Sequence, residues 1–128
     1  MQHHEESKIR VKLREMMHCA YSPLKNFPKS EAHVLSADIR GSMYRLLKLV
    51  ITVDRRHYKL TTMTELDIEL DFLRELVRFS HEEKMLSFRQ YQVWSGHLAE
   101  LGRMVGGWIK WAKEKAAAEA EKKKGVKR

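Results

Sequence analysis

One cysteine, two prolines and no apolar run near the roughly 20 residues of a membrane span bound what this 128-residue chain can be. Cys19 has no partner for an internal disulfide, so a reducing compartment is its expected home. The N-terminus lacks an apolar signal core, which argues against secretion and for a cytoplasmic protein with no membrane role. With only Pro23 and Pro28 and six glycines, the chain has too few turn formers for an all-β fold.

What the chain does have is charge. Apolar residues make up 43% and charged residues 33%, a mix that suits long, solvent-exposed helices around one modest core. Lysine and arginine outnumber the acids, for a formal net charge of +8. Such a balance favours nucleic acid, an acidic membrane surface or an acidic protein as partner.

Four periodic segments follow. Ile9, Leu13, Met16, Ala20 and Leu24 recur at helical spacing and predict a first helix from Lys8 to about Leu24. Pro23 and Pro28 bracket the break after it. Ser30 is a good N-cap for a second helix, predicted to run to about His57 with Ile39, Met43, Leu46, Val50 and Val53 inward. A third, from Thr62 or Thr64 to about His81, carries Met63, Leu66, Leu70, Leu73 and Val77. Ser87 caps a fourth, whose seam of Tyr91, Trp94, Leu98, Leu101, Val105, Trp108 and Ala112 alternates strictly between steps of three and four. Connections of roughly five or six residues favour antiparallel neighbours, so the expected fold is an all-α, up-down-up-down four-helix bundle. Its predicted layout is a flexible tail over 1–7, the bundle over 8–112, and a basic helical extension that frays over 113–128.

The outward faces carry the functional reading. At about 100° per residue, Arg45, Lys48, Arg55 and Lys59, with Arg56 beside them, fall roughly opposite the second helix's apolar stripe. They would form a cationic ridge about 20 Å long, a length over which phosphates recur along a nucleic-acid strand. Arg89, Arg103 and Lys110 lie opposite the seam of the fourth helix. A merely solvated helix face is the plainer reading of either ridge alone. Basic residues are clustered, however. Residues 30–59 hold six against three acids, and those from Lys113 hold seven against three.

The third helix differs, with seven acids against three basic residues between Leu60 and Leu86. Asp67, Asp71 and Glu75 lie near Arg74 and Arg78, at spacings that allow intrahelical pairs. Opposite its core stripe stand Ile68, Phe72, Leu76 and Phe79. A helix with two apolar faces needs two partners, so this second face is expected to meet another copy in a closed homo-oligomer.

Catalytic and metal chemistry finds no foothold. The seven histidines are scattered, with no HExxH and no Glu-x-x-His pair, so neither metal nor cofactor is expected. Cys19 lies between core-stripe positions with no base placed to activate it. Glycine-rich phosphate loops and nucleophile elbows are also missing, and an enzyme is not expected. Gly102 and Gly106, two residues before Trp108, form a Gly-x-x-x-Gly whose expected role is close packing of a neighbouring backbone. Each glycine costs the helix about 1 kcal/mol relative to alanine.

Leu86-Ser-Phe-Arg-Gln-Tyr-Gln92, followed by Leu101-Gly-Arg-Met-Val-Gly-Gly-Trp-Ile-Lys110, resembles the Avd accessory proteins of diversity-generating retroelements. So do the Phe27-Pro-Lys-Ser-Glu31 entry to the second helix and the stretch from Glu69 to Phe79, and together the likeness covers residues 8–112. Four-helix proteins encoded in ribosomal-RNA intervening sequences are similar in architecture. The resemblance implies a four-helix protomer in a pentameric ring that binds the retroelement's reverse transcriptase and its template RNA or cDNA. Such a protein supports mutagenic copying without polymerising. The chain departs from the family at Ala32-His33, where an Arg-aromatic pair is usual, and in its longer Lys-rich tail. Assigning the two ridges to RNA is a separate inference from their charge. The alternative is an interaction scaffold of the intervening-sequence type whose basic faces meet an acidic protein.

Overall fold

A computed structural model describes residues 7–56 and 60–126 of the chain, and their regular structure is entirely helical. The elements are α1 (Lys8–Lys25), α2 (Lys29–Ala32), α3 (Leu35–Arg55), α4 (Leu60–Glu82) and α5 (Phe88–Val126). Every apolar position in the stripes predicted for the first three helices is buried, and Trp94, Leu98, Leu101, Val105 and Ala112 of α5 join them. Each of α1 and α4 packs along both α3 and α5, so the four long helices share one core. At its centre Trp94 is wholly buried, and its indole N–H donates to Met16 Sδ at 3.3 Å.

The termini show why the helices start and stop where they do. Ser7 caps α1, its hydroxyl accepting from Arg10 N at 3.2 Å and donating to Asp54 of α3 at 3.1 Å. Arg10 reaches the same carboxylate at 3.3 Å. Ser87 caps α5 in a reciprocal box: Gln90 N donates to Ser87 Oγ at 3.1 Å, while Ser87 N donates to Gln90 Oε1 at 3.0 Å. After α4 the chain turns through Lys84, whose φ of 63° is left-handed. There Met85 N bonds to Ser80 O and Lys84 N to His81 O, the paired bonds that close a helix through a left-handed residue.

Two element boundaries correct the sequence reading. The second predicted helix is in two pieces, because Ser30 lies inside the single turn α2, whose cap position is held by Pro28 without a side-chain bond. The chain then bends at His33–Val34 before α3 begins. The bend lets both Phe27 and Leu35 reach the core, each 6% exposed, while Val34 between them is left outside. Burial of that pair outweighs one helix's continuity. The third predicted helix starts two to four residues early, at Leu60, and Thr64 bonds back to Leu60 O as an interior residue. Predicted features at residues 1–6, His57, Lys59 and 127–128 lie outside the described residues. Residues 113–125 continue α5 with every side chain exposed.

Candidate nucleic-acid interface and assembly face

The first ridge is built by α3. With Ile39, Met43, Leu46, Val50 and Val53 held inward, Lys48 and Arg55 point the opposite way, and Arg56 follows at the C-cap. All three are exposed, and none forms an ion pair with a described residue. Arg45 is different. It sits about 60° from Lys48 toward α4, and there its Nε donates to Glu69 Oε1 at 2.8 Å. Glu69 Oε2 accepts from the buried Ser42 hydroxyl at 2.8 Å. The hydrogen bond to Glu69 holds the guanidinium protonated still more firmly than usual. Arg45 is therefore removed from the free ridge, and Lys59 lies outside the described residues.

On α5, Arg89, Arg103 and Lys110 are exposed and likewise form no ion pair with a described residue. The two ridges do not meet. Because α3 and α5 are each packed between α1 and α4, their outward sides face away from one another. A single protomer offers two separate basic strips.

The second apolar face of α4 is bare. Ile68 is 65% exposed, and Phe72 and Phe79 are about half exposed, while Leu76 turns in to pack against the core. Ile68 and Phe72 run into a groove with Leu49 of α3, bordered by Arg45, Glu65 and Glu69. No part of the described protomer covers this face. Of the intrahelical pairs expected on α4, Arg78 instead reaches Glu82 at 3.7 Å. Arg74 leans over α5, and its Nη1 would lie 3.3 Å from a Cβ at Gly102.

That last distance revises the glycine reading. Gly102 faces a flexible side chain and not a backbone, and a Cβ at Gly106 would find nothing within 4 Å. Within the protomer, therefore, Gly106 is not a packing glycine: it lies exposed on α5. Trp108 is half-buried against the core. Cys19 is partly buried, and desolvation pushes its thiol pKa up, which keeps it protonated and a poor nucleophile. Among the described residues no group of histidine, cysteine and carboxylate side chains could hold a metal ion. No described helix is long and apolar enough to cross a membrane.

The charge pattern of the sequence does not single out Tyr21 of α1 or Tyr44 of α3, yet both are more than half exposed, Tyr21 beside Lys25 and Arg40 and Tyr44 in the same groove as Arg40. The signal was present: Arg40, Tyr44, Lys48, Ile51 and Arg55 succeed one another at steps of four, four, three and four along one side of α3.

The described residues thus form an all-helical fold with two strips of cations that make no ion pair to a described residue, and with an apolar face of α4 exposed in the protomer. The family model for bAvd-like proteins matches residues 7–112, and the chain belongs to that family. This agrees with the resemblance to Avd accessory proteins, a family of accessory proteins and not a known enzyme family. The Lys-rich end of α5 lies outside the matched region. A search of curated proteins found no match.

Proposed function

We propose that this chain is the non-catalytic accessory protein of a diversity-generating retroelement. In this reading it binds the element's reverse transcriptase and template RNA or cDNA in the cytoplasm and supports mutagenic copying. Residues 8–112 form an antiparallel four-helix protomer, 113–128 a basic extension, and several copies, five by family likeness, close into a ring through the bare face of α4. The antiparallel arrangement is supported by cross-helix neighbours whose numbers run in opposite senses: Arg45 meets Glu69, while Arg56 shares a groove with Thr61. Ring closure is supported by Ile68, Phe72 and Phe79, which an isolated protomer leaves in water. A ring would also repeat each basic strip around its circumference, joining strips that one protomer keeps apart.

The observation that carries the nucleic-acid part is the set of uncompensated cations Lys48, Arg55 and Arg56 on α3. Phosphate contacts of this kind release counterions, so affinity falls linearly with salt on logarithmic axes. Changing the three to glutamate should abolish RNA retention on a filter while leaving helicity intact. Retention unchanged from the parent protein would remove α3 from the interface. No RNA retention by the parent itself at moderate salt would favour a scaffold that meets an acidic protein.

A further inference from the structure

We infer that the groove between α1 and α3, floored by Met43 and flanked by Tyr21 and Tyr44, takes unpaired bases of single-stranded RNA. The inference rests on the reading of the chain as an RNA-binding accessory protein and adds a second kind of contact to it. The groove holds about 300 Å³, and its lining includes Arg14, His18 and Arg40 but no carboxylate. Its two tyrosines are 58% and 59% exposed, which leaves aromatic surface open to a ligand.

Charge and ring are interleaved here. Lys25 Nζ stands 5.4 Å from the Tyr21 ring centroid and the Arg40 guanidinium 5.8 Å from it. Tyr44 lies one helical turn from Arg40 on one side and from Lys48 on the other, about 6 Å along the axis each way. That step is of the order of the spacing between successive phosphates in an extended strand. A strand laid along α3 would meet Arg40, Lys48 and Arg55 with its phosphates, while Tyr44 between the first two offers a ring face to a base. Cations near Tyr21 bind its ring only weakly at an exposed site, so they can turn to phosphate when a base approaches.

The same chemistry disfavours a duplex. Bases in a helix have their faces covered by one another and cannot use an aromatic platform, whereas an unstacked base can. A duplex would meet the cations alone. An acidic peptide would likewise use the cations and leave both rings idle.

The test uses the full chain and fluorescence anisotropy with labelled oligo(U), an RNA duplex of equal length and polyglutamate. Tyr44→Ala should weaken oligo(U) binding about tenfold, Tyr21→Ala should act in the same direction, and neither should change duplex binding. Tyr44→Phe should restore oligo(U) affinity, because the ring and not the hydroxyl is used. Equal losses on oligo(U) and duplex, or no loss on either, would overturn the proposal. So would polyglutamate binding that falls in the tyrosine variants. If the parent protein bound no RNA at all, the broader reading would fall with it. RNA binding that ignores both tyrosines would overturn only this one.

Discussion

Replacing Glu69 with alanine should move stability and RNA affinity in opposite directions. The carboxylate joins two groups of α3 to α4: the fully buried Ser42 hydroxyl at 2.8 Å and Arg45 Nε at 2.8 Å. A buried hydroxyl bonded to a charged acceptor contributes about 1.5–3 kcal/mol. The Arg45 side chain is 54% exposed, so its ion pair is screened and adds under about 1 kcal/mol. Ser42 recovers part of the loss by bonding within its own helix. A net cost of about 2 kcal/mol follows, which lowers the urea midpoint by roughly 1 M at the slope of a small domain. The same change frees the Arg45 guanidinium beside Lys48. RNA affinity should rise, and the logarithmic salt slope should steepen by up to about 0.7 for single-stranded RNA. Glu69→Gln, which keeps an acceptor for Ser42, should lose less stability and gain nearly as much affinity. The assays are urea denaturation followed by circular dichroism, at fixed protomer concentration, and filter binding across a salt series. A fall in RNA affinity alongside intact stability would show the opposite, that Arg45 is most effective while paired.

Phe72→Glu, on the exposed face of α4, should lower the native mass in sedimentation while leaving helicity unchanged; an unaltered mass would put the contact between copies elsewhere. Trp94→Ala empties the centre of the core and should cost about 3–5 kcal/mol in urea unfolding. Lys84→Gly should stabilise the protein by about 1 kcal/mol, since a lysine at φ 63° carries the left-handed penalty that glycine escapes. Because burial raises the Cys19 thiol above its ordinary value of 9.0, alkylation by iodoacetamide should lag free cysteine near neutral pH. It should accelerate only at more alkaline pH, where the thiolate forms.

The core was legible because helical burial writes itself as a repeat. Ile9 through Leu24, Ile39 through Val53 and Met63 through Val77 recur at the spacing that one inward face demands, and all are buried. The Ser87–Gln90 box was half legible, since a cap is a local arrangement of four residues. What escaped was decided between segments. Ser30 looks like a cap, but Phe27 and Leu35 both need the core, and the chain bends at Val34 to satisfy them. Arg45 looks like a member of the ridge, but its acid comes from another helix, 24 positions along the chain. Gly106 looks like a packing glycine, yet in the described protomer a Cβ there would meet nothing within 4 Å. Tyr44 is legible from periodicity alone, since it stands one turn from Arg40 and one from Lys48, but a pattern of charges by itself leaves out the aromatic between them.

In the proposed function the chain assists a polymerase and does not itself polymerise. That reading is tested by copying the template RNA of a diversity-generating retroelement with the element's own reverse transcriptase, with and without the full chain, and sequencing the cDNA. Mutagenic cDNA is expected only when the chain is present, and it should be lost with Lys48, Arg55 and Arg56 changed to glutamate. The same yield and the same substitutions without the chain would contradict it.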